Sequence, residues 1–424
     1  MRESFLHFIW QFQKLNRVSL LTSAGEELQV YTIGQYNTEA GPDFLNAKLS
    51  IGEITWYGHV ELHLKSSDWN KHKHQHDKSY NNVVLHVVWE HDLEIENAEG
   101  NHIPVLELKD KIQPDLLAKC NALIKSPERM PCEGQFDQVM DIQKWSMLSQ
   151  TGVMRLTSKS AFIDELHQLS NGSWEETTFQ LLAKNFGFKT NEHPFLKLAQ
   201  IVGQKILVKH ANQVFQLEAL LFGLGGFLLD PVDEYAQSLQ KEYHYLAKKY
   251  GLQHKEMIRE EWKFLRMRPG NFPTVRLAEF AAFLADNIKY FDRFIHYNKV
   301  GELIDCFDNE LSEYWTTHYD FGKESSRKRK GMGQSSKDVL IINTVAPLLA
   351  AYSKSIDGQE YMDKATDLLQ AIKPEKNTII TQWEALGLKA KDAFDTQSML
   401  TLTNDFCKKK KCLSCKIGVS LINS

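Results

Sequence analysis

The sequence predicts an α+β protein: an N-terminal mixed-sheet domain, then an all-helical domain, then a short cysteine-containing tail. Three observations predict it. Runs rich in Val, Ile, Leu and aromatics, bounded by Gly, Asn and Asp, fill residues 26–109, as strands do. After about residue 135 the apolar spacing lengthens to the helical period. Three cysteines then crowd into the last twenty residues. The expected boundaries are 1–135, 136–400 and 401–424.

Each element follows from its residues. "ESFLHFIWQFQK" reads as an amphipathic helix over about 3–14, and it lacks the long apolar stretch of a signal peptide. Strands are expected in "EELQVYTIG", "FLNAKLSIG", "EITWYGHVELHLK", "NNVVLHVVWE" and "IPVLELK". In the third, Gly58, Val60, Leu62 and Leu64 alternate with Tyr57, His59, Glu61 and His63, so one face is apolar and the other carries chemistry. "VVLHVVW" is apolar on both faces except at His86, the pattern of a covered central strand. A link near 125–137 leads to the helices. Ser173 with Glu176 forms a capping box, with Gly187 at the far end. Further helices are expected at 194–208, 233–250, 255–267, 274–288, 300–317, 337–353, 359–371 and 376–386.

Composition narrows the function classes. The 50 basic and 54 acidic residues nearly cancel, so any nucleic-acid surface must be local. The longest apolar run, Ala219 to Leu229, is shorter than the ~20 residues of a membrane span. No membrane partner and a cytoplasmic location are therefore expected.

Chemistry concentrates between Gly41 and His91. Seven histidines lie there: His59, His63, His72, His74, His76, His86 and His91. Neutral imidazole is the commonest metal ligand and the natural proton carrier near neutrality. His59, Glu61 and His63 share a strand face, and alternate residues on a strand stand about 6–7 Å apart, so two of these side chains can reach one ion. Pro42 fixes its own φ and sets Asp43 on a bend leading into the next strand. Beyond them, His72, His74, Asp77 and Tyr80 form a second polar set for phosphate contact or for steadying the ligands, and a buried His86 needs a partner.

In the tail, Cys407, Cys412 and Cys415 follow a C-x4-C-x2-C spacing, which suggests zinc or an iron–sulfur cluster, with Cys132 the candidate fourth ligand. Cys120 and Cys306 read as small apolar residues. Two basic segments, Arg327, Lys328, Arg329 and Lys330, and Lys408 to Lys411, are suited to phosphate backbones or to simple solvation.

"GPDFLNAKL" followed by "GHVELHLK" resembles the metal-binding core of the PD-(D/E)XK nuclease superfamily. The resemblance implies a restriction-endonuclease-like sheet and a nuclease or phosphodiesterase acting on DNA or RNA. It places Mg2+ or Mn2+ on Asp43 and Glu61, with Glu3 on the preceding helix completing the site. His63 stands where that superfamily usually has Lys, and Lys65 is the substitute two residues on. An imidazole ligand would favour manganese or zinc. Some members of the superfamily join one upstream Cys to three near the C-terminus around a [4Fe–4S] cluster, which by analogy would be Cys132 with the tail. Over nearly its full length the chain also resembles a bacterial family of unknown function, on "NTEAGPDFLNAKL", "GHVELH", "RPGNFPTVRLAEFA" and "INTVAPLL". Two alternatives stand beside the nuclease: a zinc-dependent hydrolase of a small substrate, and a non-catalytic binding or scaffold protein.

Overall fold

The structure is a computed structural model that describes residues 2–286, 289–326 and 328–423. It divides into two compact units, Met1–Leu148 with Leu402–Ser424, and Ser149–Thr401. The tail is thus counted with the first unit instead of standing apart.

Unit 1 opens with α1 (Glu3–Gln11), which buries Phe5, Leu6, Phe8, Ile9 and Trp10 and ends short of the expected residue 14. The strands are β1 (Leu28–Thr32), β2 (Gln35–Tyr36), β3 (Phe44–Ile51), β4 (Ile54–Lys65), β5 (Val83–Glu90) and β6 (Val105–Glu107). They form one sheet in the order β1-β3-β4-β5-β6, with β2 also on β3. The sheet is mixed: β3 pairs antiparallel with β1, β2 and β4, whereas β4–β5 and β5–β6 are parallel. The parallel crossover from β4 to β5 runs through α2 (Asp68–Lys71) and two short 3-10 turns. This segment covers the face expected to carry chemistry, so that Val60, Glu61, Leu62 and His63 are all buried. A close approach fixes Gly58, since a Cβ there would lie 2.5 Å from the Asn82 carbonyl oxygen. Trp69, Tyr80, Val83, Val88, Ile95, Ile103 and Val105 make a small core under the crossover. After β6 comes α3 (Pro114–Lys125), a helix the strand-rich reading of this region did not anticipate. Pro114 at its first turn costs it no hydrogen bond.

The 29-residue α4 (Asp141–Leu169) crosses the division between the units. Unit 2 is helical around a large apolar core but not all-helical as expected: His318–Asp320 and Lys323–Glu324 pair as a short antiparallel hairpin. Its helices include α5 (Trp174–Phe186), α6 (Glu192–Val202), α7 (Gln204–Leu207), α8 (Val214–Leu224), α9 (Glu234–Tyr250) and α10 (Pro273–Asp286). Ser173 Oγ accepts the Glu176 N–H, which is half of the expected capping box; the Glu176 carboxylate instead accepts from Gln180 Nε2 and the Gln204 N–H. Two expected helices differ. Residues 255–267 are loop around a single 3-10 turn at Arg259–Glu261. Backbone N–H groups there go elsewhere: Met257 donates to the Leu224 carbonyl, and Lys263 to Asn191 Oδ1. The 300–317 stretch is two short helices, Val300–Asp305 and Glu313–Thr317. The run Gln334–Ile356 is long and apolar enough to cross a membrane by length and composition, longer than the Ala219 to Leu229 stretch, and 67% of its apolar window is buried. Within it, residues Ile341–Val345 form a π-helical turn.

Candidate metal centre

The site grows from the bend before β3. Gly41 adopts φ 101°, open only to glycine without strain. The Asn37 side chain donates to the Ala40 and Pro42 carbonyls, and the Asn37 N–H to the Asp43 carbonyl. Asp43 is thereby held at the mouth of β3 and interlocks with β4. Its N–H donates to Glu61 Oε2 at 3.0 Å, and its Oδ2 accepts the Leu62 N–H at 3.0 Å. Oδ2 also lies 3.2 Å from His7 Nε2, and His7 Nδ1 lies 3.3 Å from the Tyr36 hydroxyl.

The second half comes from the crossover. Lys73 takes a left-handed conformation at φ 65°, which reverses the chain between His72 and His74 and turns both imidazoles inward. Trp69, fully buried, donates its Nε1–H to the Glu96 carbonyl and fixes the loop. His74 stacks on Tyr80 with ring centroids 3.8 Å apart, and the Trp69 ring meets it edge-on. His63, on β4, then meets three imidazoles. Its Nε2 is 2.9 Å from His72 Nδ1, its Nδ1 is 2.8 Å from His86 Nε2, and its ring stacks with His74 at 5.3 Å.

His63, His72 and His74 each offer a ligand nitrogen, and all three nitrogens lie within 4.8 Å of one another. Glu61 Oε1 stands 3.6 Å from Nε2 of both His63 and His74. The His74 Nε2 atom is buried and has no hydrogen-bond partner among the described residues. Ligand nitrogens around a tetrahedral zinc stand about 3.3 Å apart, so this donor set fits a divalent transition ion with small side-chain movements.

Electrostatics agree with that donor set. Burial pushes the His63 imidazole down to about 3, helped by His72 and His74. Burial and His72 lower His74 to about 4. His86 falls well below its ordinary value, again through burial first. All three are neutral near pH 7, the form that binds metal. Burial and then the Asp43 charge hold the Glu61 carboxyl far above the usual carboxylate range, against the pull of the Asp43 N–H. Glu3 is raised by burial while His72 and His7 pull it down, which places it within electrostatic reach of the cluster.

The structure therefore gathers Glu3, Asp43, Glu61, His63, His72, His74 and His86. Others expected here are elsewhere. Lys65 Nζ pairs with Glu90 at 3.5 Å and Asp92 at 3.8 Å, so it does not take the position of a catalytic lysine. His59 accepts the Asn46 N–H at the β3 bulge, and its Nδ1 serves the strand edge. Asp77 caps the 3-10 turn Lys78–Tyr80 by accepting the Ser79 N–H and hydroxyl; its charge reaches His74 without touching the ring. Of the basic segment, Lys328 and Lys330 are exposed. Arg329 is half-buried, with its Nη1 donating to the Gly270 carbonyl at 3.4 Å and its charge near Glu279. Arg327 lies outside the described residues. His7 was missed by sequence reasoning. The signal for it was its place one helical turn after Glu3, which puts both on one face.

A family described as "Protein of unknown function (DUF2851)" matches residues 3–378. The chain belongs to this family. The matched span contains every histidine and carboxylate of the centre and stops short of the three tail cysteines. Among functionally curated proteins and among solved structures, nothing matches.

Proposed function

We propose that unit 1 is a divalent-metal-dependent hydrolase acting on phosphodiesters, with DNA and RNA the first substrates to examine. One observation carries the reading: the nitrogens of His63, His72 and His74 converge within 4.8 Å, with Glu61 Oε1 at 3.6 Å from two of them. His74 Nε2 is buried there without a hydrogen-bond partner among the described residues, which is costly, and an ion that takes up its lone pair removes the cost. Imidazole-rich ligation suits zinc or manganese better than magnesium. On this reading the ion sits on the histidines and Glu61, with Asp43 Oδ2 taken up by the Leu62 N–H and His7.

When bound, such an ion supplies a bound water of lowered pKa and positive charge for a phosphoryl oxygen. The chain's own residues do the rest. Glu61 Oε1 is placed to hold a proton beside the ligand nitrogens. His86 fixes the His63 ring through Nε2. His7 Nε2, against Asp43 at the partly exposed rim, can pass a proton to a departing oxygen. The phosphodiester class is supported by the PD-(D/E)XK-like order: Asp at the entry of β3, Glu on antiparallel β4, and β5 parallel beside it. A second reading, a zinc hydrolase of a small substrate, is favoured by access, since His63 and His74 are buried and only His72 is open to solvent.

The test uses the full chain loaded in turn with Zn2+, Mn2+ or Mg2+. Substrates are bis(p-nitrophenyl) phosphate and single- and double-stranded DNA and RNA. Turnover with zinc or manganese should fall at least 100-fold in Glu61→Gln and His74→Ala while circular dichroism stays unchanged. Absence of turnover with every ion and substrate sinks the phosphodiester reading. Retained zinc binding in that case would leave the small-substrate hydrolase.

A further inference from the structure

A second cluster of metal-ligating side chains lies in unit 1, apart from the histidines. All six cysteines are buried, and no disulfide joins any described pair. Cys120 and Cys306 sit singly, as buried cysteines usually do. The other four come from two distant segments of one unit: Cys132, then Cys407, Cys412 and Cys415.

The local geometry makes a knuckle. Cys407 closes a π-helical turn, Leu402–Cys407, a conformation enriched at functional sites. Lys410 turns left-handed at φ 53°. The Lys410 N–H donates to the Cys407 carbonyl at 3.1 Å and the Lys411 N–H to the Phe406 carbonyl at 2.9 Å. Cys412 opens a 3-10 turn, and the Cys415 N–H returns to the Cys412 carbonyl at 3.2 Å. The last helix, Lys416–Asn423, starts so close that a Cβ on Gly418 would lie 2.2 Å from the Cys412 oxygen. Lys410 Nζ donates to the Ser126 and Glu128 carbonyls, both at 2.8 Å, and docks the knuckle beside the segment that carries Cys132. The four thiols feel one another: Cys407 responds to Cys132, Cys415 and Cys412, and Cys132 to Cys415 and Cys412.

We propose that Cys132, Cys407, Cys412 and Cys415 hold a thiolate-ligated metal centre, either one zinc ion or an iron–sulfur cluster, that ties residues 402–424 to the N-terminal unit. Four converging thiolates, three of them at C-x4-C-x2-C spacing, are the ligand set both groups require. The sulfurs are set more openly than the histidine nitrogens. No three of them, among the described residues, lie within 4.8 Å of one another. Thiolates around a single tetrahedral zinc stand about 3.8 Å apart, whereas in a cluster the four thiolates are spread over several irons. The setting favours the cluster.

The experiment is anaerobic purification of the full chain, followed by iron, sulfide and zinc analysis and X-ray absorption at the metal edge. Wild type and a His72→Ala/His74→Ala variant should both carry this metal, with a sulfur shell near 2.3 Å. That separates it from metal at the histidines. Iron with equimolar sulfide and broad absorbance near 400 nm identifies a cluster; one zinc in an all-sulfur shell keeps the centre and overturns the spacing argument. Cys412→Ser/Cys415→Ser should lose the metal, while Cys120→Ser and Cys306→Ser keep it. Wild-type protein with neither metal, or with only nitrogen and oxygen neighbours, overturns the proposal without any variant having to fold.

Discussion

Glu218 offers a test of the helical unit in which the sign of a pH effect is fixed by structure. It lies on α8 with no solvent exposure. Its Oε2 accepts the Tyr235 hydroxyl at 2.5 Å and the Trp315 Nε1–H at 3.2 Å, and its Oε1 accepts the Ser312 hydroxyl at 2.8 Å. Burial pushes the carboxyl up to about 7 from an ordinary 4.5, although all three donors pull the other way. The folded state therefore holds this proton more tightly than the unfolded chain. The stability that follows is fully present below pH 4.5 and is lost as pH rises to about 7. At about 1.4 kcal/mol per pH unit the gap is worth about 3 kcal/mol. Glu218→Gln abolishes the titration. It keeps the contacts if the amide oxygen faces Tyr235 and Trp315 and the NH2 group faces the Ser312 oxygen. The free energy of opening, read from hydrogen exchange of α8 amides between pH 4.5 and 8, should rise for the variant relative to wild type by about 3 kcal/mol as pH increases. Wild-type and variant profiles that stay parallel within about 0.5 kcal/mol would refute the reasoning.

Other predictions concern named contacts. Lys65→Ala should leave metal affinity and turnover unchanged, because its ammonium pairs with Glu90 and Asp92 at partly exposed positions worth under about 1 kcal/mol; a large loss of turnover would restore a catalytic lysine. His86→Phe strips His63 Nδ1 of its partner and should weaken zinc binding about 10–100-fold, measured against a chromophoric chelator. Unchanged affinity would show that His86 does not orient the ligand. Gly223→Ala puts a Cβ 2.2 Å from the Tyr243 ring, which its hydrogen bond to Glu256 keeps in place. The overpacking penalty of about 1–3 kcal/mol exceeds the helix-propensity gain of roughly 1 kcal/mol, so the melting temperature should fall, and a rise would show that the ring yields.

The sequence carried the parts of this site that depend on local period. Alternation around Glu61 and His63, the bend at Pro42-Asp43 and the apolar run holding His86 all follow from side-chain chemistry within a few residues. What brings His72 and His74 together is different. It is a left-handed backbone at Lys73, a residue type that does not announce that conformation. His7 reaches Asp43 only because α1 packs on the sheet, a long-range event. Residues 255–267 have helical composition, yet tertiary acceptors such as Asn191 Oδ1 outbid the local carbonyls. The break within 300–317 frees Ser312 to serve Glu218 on another helix.

The first unit is assembled from both ends of the described chain, and its closing turn packs against the helix that bears Glu3 and His7. Residues 149–401 must be synthesised in between. At roughly 5–20 residues per second that interval is on the order of 10–50 s. During translation the sheet and its histidines emerge early but wait, with α1 still uncovered on one side, until the Cys412–Ser414 turn arrives. A ribosome-bound intermediate should therefore expose apolar surface on α1 long after that segment has left the exit tunnel.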